Sequence, residues 1–221
     1  MKLTLYDFIA GVVPGIVFLW AVSLFSGSLG ITFNIPLSGG IGETSVLIAL
    51  AHITGLILQG ISQGITEKIL IKLWGGFPSS KWLLPDDGYF SDDYKAKVKQ
   101  IVEKKFGIKV ENELSRKERL KKNQEIFYLC YNAVDKERLS ERPQIFNAHY
   151  GLFRCLLTTF SILFLIDLSF LVFGRNLRYS IFFSILIFSF IGVVVSYYRT
   201  KKRGEDFVKS IYDLFITHFS D

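Results

Sequence analysis

Six polar side chains lie in or beside strongly apolar stretches of this chain and are its best-placed residues for chemistry: Asp7, His52, Gln63, Glu67, Arg154 and Asp167. A charge at the centre of a bilayer costs about 2.5 to 3.5 kcal/mol even on the gentler insertion scale, so neither Arg154 nor Asp167 should face lipid. Such residues either pair to fix the register of two helices or line a path for protons or ions. The set therefore predicts polar contacts between membrane helices.

Counting helix rise along neighbouring spans of opposite direction suggests which of these side chains meet. His52 and Asp167 each lie roughly six residues from the outer surface, so the two can pair. Arg154 lies about one turn inside the inner surface, within reach of several polar side chains: Asp7, Ser62, Gln63 and Glu67. Contacts of this kind average only about 0.6 kcal/mol, which favours a role in helix register, with a proton or ion path as the alternative.

Four apolar stretches must position these residues. Half of the 221 residues are hydrophobic although 21% are charged, so charge and apolar sequence are segregated. The stretches cover about 7–26, 44–65, 148–173 and 179–198, each close to the ~20 residues that cross a bilayer. The sequence predicts an all-α protein with a transmembrane hairpin (1–66), a cytoplasmic helical domain (67–146), a second hairpin (147–198) and an amphipathic tail (199–221).

Local signals place helices in the cytoplasmic domain and in the tail. Ser91 is a predicted N-cap for a helix that ends at Gly107, and Ser115 with Glu118 forms the pattern of a capping box that opens the next helix. The tail has apolar residues at helical spacing: Phe207, Ile211, Leu214, Phe215 and Phe219. We expect this helix to pack on the domain or to bind a partner, since it is almost charge-balanced, rather than to lie on lipid.

The distribution of basic residues predicts the orientation in the membrane. Most of the 26 Lys and Arg side chains lie in 67–146 or directly after 198, and none lies in the loop 27–43. Because basic loops stay in the cytoplasm, both termini and the central block are predicted to be cytoplasmic, in a multi-pass membrane protein.

Small residues recur at four-residue spacing in the first two spans, as Gly11 with Gly15, Ala51 with Gly55, and Gly60 with Gly64. Small-xxx-small faces allow helices to approach closely, so these faces predict a homo-oligomer. Pro14 removes a backbone donor inside the first span and is expected to kink it.

No motif of an enzyme is present: there is no P-loop, no GxSxG, no HExxH and no dinucleotide fingerprint. The chain is therefore expected not to be an enzyme and to need no cofactor or metal. Cys130 and Cys155 are expected to be reduced packing residues. The basic run 115–122 carries Glu118 four residues before Lys122, which is typical of a solvated helix face, so direct binding of nucleic acid is not expected.

The opening segment YDFIAGVVPG, four short spans and one cytoplasmic domain between the second and third resemble the KwaA family, the membrane subunits of the Kiwa anti-phage defence system. The resemblance implies a homo-oligomer, such as a tetramer, that senses infection at the inner membrane. It also implies a cytoplasmic, DNA-binding partner similar to KwaB. The residues themselves predict only an oligomeric membrane protein, in contact with membrane lipids, that has a cytoplasmic docking domain.

Two other functions fit the same pattern. A pore-forming effector or ion channel would conduct ions through an oligomer, since four spans in one chain are few for a carrier. An accessory subunit of a transporter would work beside an ATPase or a second half encoded nearby.

Overall fold

The computed structural model describes residues 5–28, 40–108, 115–173 and 179–220. This part of the chain is helical and contains no strand. In chain order, its elements are α1 (Leu5–Ser28), α2 (Ile41–Ile61), a π-helix (Ser62–Thr66), α3 (Glu67–Leu73), α4 (Pro78–Lys81), α5 (Asp92–Phe106), α6 (Arg116–Lys136), α7 (Glu141–Phe173) and α8 (Tyr179–Phe219).

Three helical stretches of the described residues are long and apolar enough to cross a membrane: Ile41–Leu73, Glu141–Val172 and Phe183–Phe219. They cover the predicted second span and most of the predicted third and fourth spans. A shorter apolar helix, Ala10–Ser26, lies in the first predicted span. Pro14 lies buried within α1, which continues on both sides of it.

The fourth predicted span and the tail form one helix, α8, where sequence analysis treated them as two elements. The basic residues after 198 mark the end of the apolar sequence but do not end the helix. Lys202 and Arg203 both pair with Asp206, at 3.2 and 3.3 Å, in the i+4 and i+3 spacings that support a helix.

The chain divides into two compact units. Unit 1 comprises Met1–Lys68 and Ala148–Lys201, and unit 2 comprises Ile69–Asn147 and Lys202–Asp221. The end of α8 thus belongs to the same unit as the central block of the chain.

The core of unit 1 joins α1, α7 and α8. It is built from buried apolar side chains of the three helices: Ala21, Phe25, Leu163 and Ile185. Gly192 on α8 faces the ring of Phe160 on α7 so closely that a Cβ on this glycine would lie 2.5 Å from ring atom Cγ. A glycine at 192 is therefore required for this packing, although sequence analysis did not single it out.

Helices α1 and α2 pack backbone to backbone within unit 1. A Cβ on Gly15 would lie 1.8 Å from the carbonyl oxygen of Ala51, and one on Gly55 would lie 1.7 Å from that of Gly11. The prediction that these faces join separate copies is wrong for Gly11, Gly15 and Gly55, because α1 and α2 of one chain already fill them. Gly60 and Gly64 differ, since nothing lies within 4 Å of a Cβ built at either position.

The local signals for helices in unit 2 are confirmed. The Ser91 hydroxyl accepts from Tyr94 N, and α5 ends at Gly107 with a left-handed φ of 68°. Ser115 and Glu118 form a complete capping box at the start of α6, and the hydrogen bonds from Ser115 lower the pKa of the Glu118 carboxyl. The predicted contact of Glu118 with Lys122 is wrong, because the carboxylate is used in this cap and Lys122 instead pairs with Glu125 at 3.5 Å.

The end of α8 completes the core of unit 2. Four of its side chains are 0% exposed, namely Val208, Ile211, Tyr212 and Phe215, and they pack with buried residues of α5 and α6. At the edge of this core, Tyr94 donates to Asp213 at 2.7 Å and the Lys105 ammonium lies 3.5 Å from the centre of the Phe219 ring. The expectation that the tail packs on the central domain is confirmed.

Cys130 of α6 should not react with thiol reagents in the folded protein. Its side chain is fully buried in the core of unit 2, and this burial raises the pKa of the thiol well above its ordinary value. Thiolate is the reactive form, so labelling by a maleimide at neutral pH should appear only on unfolding. Labelling of native protein at Cys130, read by peptide mass spectrometry, would contradict this packing.

Candidate functional site

Arg154 of α7 has a buried side chain that hydrogen-bonds to the segment Ser62–Glu67. Its Nε donates to Ser62 Oγ at 3.1 Å, and its Nη1 donates to Glu67 Oε2 at 2.5 Å. The guanidinium side chain is 7% exposed and the Glu67 side chain 29%. The charge that would be most costly to bury alone is thus paired with a carboxylate.

Two further contacts surround this pair. Tyr150, one turn before Arg154, donates from its hydroxyl to Glu67 Oε1 at 3.2 Å, and its ring lies 5.1 Å from the guanidinium carbon. Thr66 and Thr158 share a hydrogen bond of 2.7 Å between their hydroxyl oxygens. We call Ser62, Thr66, Glu67, Tyr150, Arg154 and Thr158 the Arg154 cluster.

The π-helix Ser62–Thr66 is what allows Ser62 and Glu67 to serve the same guanidinium group. Residues five apart in an α-helix point about 140° away from each other. In the π-turn the Glu67 N–H donates to the Ser62 carbonyl oxygen instead, so the two residues stack on one face. Single π-turns within helices occur frequently at functional sites, which makes this cluster the strongest candidate in the described residues.

Of the other polar side chains expected near Arg154, only Gln63 is among those that the structure describes. Gln63 points outward and is exposed, although it stands between Ser62 and Glu67 in the sequence. Asp7 belongs to α1, but its side chain lies outside the described residues.

The predicted contact between His52 and Asp167 is not formed. The His52 ring stacks on Phe8 with 5.4 Å between ring centres, and its Nδ1 would lie 3.0 Å from a Cβ on Gly11. His52 therefore faces α1 and not α7. Within the described residues, His52 Nδ1 and both carboxyl oxygens of Asp167 have no hydrogen-bond partner.

The Arg154 cluster can hold α7 against the segment that follows α2 by an ion pair and hydrogen bonds. It combines one cation, one carboxylate and four hydroxyl groups. Among the described residues, no three His, Cys, Asp or Glu side chains are grouped so that they could bind a metal ion. What sequence analysis missed is the π-turn, for which residues 62–66 give no local signal.

Comparisons of the chain with protein-family models, with curated proteins and with solved structures give no match.

Proposed function

We propose that this chain is a four-span protein of a bacterial inner membrane that acts as a homo-oligomeric sensor and scaffold. The observation that carries the proposal is the buried Arg154–Glu67 pair at a π-turn, because a polar contact of this kind between helices can be broken by a signal that favours another helix arrangement. A sensor needs such a two-state element, which a signal can bias.

The proposal of four spans counts α1, the first predicted span, together with the three longer apolar stretches. Its 24 residues measure about 36 Å at the rise of an α-helix, which exceeds the ~30 Å hydrocarbon core. It also packs on α2 through Gly15 and on α7 and α8 through Phe25, as a helix of the same membrane bundle would.

Labelling in cells tests whether the stretch that contains α2 crosses the membrane, and in which direction. Both native cysteines are buried, so single cysteines placed at exposed Gly42 and exposed Asp93 should report alone. The proposal predicts that Gly42→Cys reacts with an impermeant maleimide in intact cells. Asp93→Cys should react only after the cells are opened. Reaction of Asp93→Cys in intact cells would contradict a cytoplasmic unit 2.

The role in anti-phage defence and the cytoplasmic DNA-binding partner rest on the resemblance of YDFIAGVVPG and of the span layout to the KwaA family. The structure adds support of a general kind, since unit 2 has its own core and is large enough to present a docking surface. Co-expression of the tagged full chain with the products of its neighbouring genes, followed by native mass measurement in mild detergent, tests the scaffold role. We expect an oligomer that carries one of these products. A monomer that copurifies with none would contradict the proposal.

An ion channel or pore-forming effector is the second candidate, favoured by the buried polar groups of unit 1. Purified protein in liposomes distinguishes the two functions. A sensor and scaffold should pass no ions in the absence of its trigger, whereas a stand-alone pore should conduct.

A further inference from the structure

Asp167 of α7 is an acidic side chain in the apolar core of unit 1. It is 1% exposed, and neither of its carboxyl oxygens has a hydrogen-bond partner among the described residues. Leu163 and Phe170, one turn away on either side, both belong to the core formed with α1 and α8. A carboxylate in these surroundings lacks the compensation that a buried charge requires.

Ser189 of α8 adds a second polar group at the same place. Its side chain is 0% exposed, and its hydroxyl is a hydrogen-bonding neighbour of the Asp167 carboxyl group, although the two groups do not meet in the geometry of a regular hydrogen bond. A hydroxyl carries one hydrogen, so Ser189 can satisfy at most one of the two carboxyl oxygens, and at least one of them stays without a donor in this apolar core. Buried polar atoms in native proteins are nearly always satisfied, so a buried carboxyl group that lacks donors needs an explanation.

No cation of the described chain compensates for the charge of Asp167. The guanidinium group of Arg154 is engaged by Ser62 and Glu67, and His52 faces α1. Residues 8–26 of α1 and 183–195 of α8, the stretches packed around this core, contain no titratable side chain. On α7 itself, residues 155–172 contain Cys155 and Asp167 as their only titratable groups.

We propose that Asp167 and Ser189 form a site inside the membrane bundle that takes up one small monovalent cation, a proton or an alkali-metal ion, from solution. A proton converts the carboxylate to a neutral acid whose O–H can donate to Ser189 Oγ, with no other bond changed. An alkali-metal ion is instead held by the carboxylate and hydroxyl oxygens, which are hard ligands suited to it. In both cases the isolated charge is removed. The site is separate from the Arg154 cluster and does not rest on the proposed function.

The test is the thermal stability of the full chain in detergent as a function of each cation. One series varies pH with choline as the only salt cation, and the other replaces choline by sodium at constant ionic strength and pH. A sodium ion that binds only the folded state should raise the melting temperature by about 3 to 6 °C for each tenfold increase above half-saturation. A proton should give a rise of the same slope only down to about pH 4, because below that pH the unfolded chain also takes up the proton. Asp167→Asn, which has the same shape and no charge, should remove that response, whereas the exposed control Asp93→Asn should keep it.

The two series identify the cation. If Asp167→Asn loses the response of the wild type in the pH series alone, the cation is a proton. If it loses the response in the sodium series alone, the cation is an alkali-metal ion. Wild type and Asp167→Asn with equal responses in both series would overturn the proposal.

A second variant covers the case in which Asp167→Asn fails to fold. Ser189→Ala should shift the cation concentration at half-response by about two- to tenfold, the effect of one hydrogen bond on an equilibrium. Its matched control is Ser169→Ala, whose hydroxyl is exposed and bonds to the Leu165 carbonyl. An equal cation concentration at half-response in Ser189→Ala and Ser169→Ala would also overturn the proposal.

Discussion

Replacing Arg154 with methionine should lower the free energy of unfolding by about 2 to 4 kcal/mol. The change keeps a long side chain but leaves the Glu67 carboxylate without its cation and Ser62 without its donor. Removing one partner of a fully buried pair costs about 3 to 5 kcal/mol, and the value here should be smaller because the Glu67 side chain is 29% exposed.

A double-mutant cycle separates the pair from the packing of the side chain. Arg154→Met, Glu67→Gln and the double variant should give a coupling of at least about 1 kcal/mol in denaturation of the purified chain. The matched control is the cycle of Arg116→Met with Asp86→Asn, a pair at 3.6 Å whose side chains are 69% and 60% exposed, where the coupling should lie within about 0 to 1 kcal/mol. Equal coupling in both cycles would mean that the Arg154 cluster does not act as a clamp.

Replacing Gly15 with alanine should have an effect of similar size, a loss of about 3 kcal/mol or more, at the upper end of what overpacking costs. The added Cβ would lie 1.8 Å from the Ala51 carbonyl oxygen, which is backbone and can move only if α1 and α2 separate. The melting temperature should fall by about 6 to 12 °C for a chain of this size.

Gly60→Ala is the control for Gly15→Ala, because it adds the same methyl group where nothing lies within 4 Å. We expect its stability to be unchanged or higher by up to about 1 kcal/mol, since alanine favours a helix over glycine. Equal stability of the two variants would contradict the backbone contact between α1 and α2. Gly60→Leu then tests the remaining open glycine face, since a loss of oligomer without a loss of stability would place it between copies.

Features with local causes were predictable from the sequence. The caps at Ser91, Ser115 and Gly107 depend on a few neighbouring residues, and the structure has each of them. The apolar spacing of the tail is also a local pattern, and it predicted that this helix packs on the domain. The end of α8 was harder to predict, since a basic run marks the limit of apolar sequence while Lys and Arg remain good helix formers.

The polar contacts were predictable only in part. Counting helix rise places residues at a height along a helix but says nothing about the direction in which they point. His52 and Asp167 were therefore expected to meet although His52 faces α1. The contact of Arg154 with Glu67 needs a π-turn, which the residues of 62–66 do not encode by any local rule. The same limit applies to the glycines, because spacing predicts a close helix contact without specifying the partner helix.

The proposed role of the chain, an inner-membrane sensor in anti-phage defence, can be measured by plating a panel of phages. The host strain would express the chain together with its neighbouring genes, and matched strains would lack the chain or carry Gly15→Ala. Fractionation of each strain would verify that the wild-type chain is in the membrane. The account predicts fewer plaques of at least one phage with the wild-type chain and restored plaque numbers when the chain is absent. Equal plaque numbers with and without the membrane-inserted chain, across the panel, would contradict it.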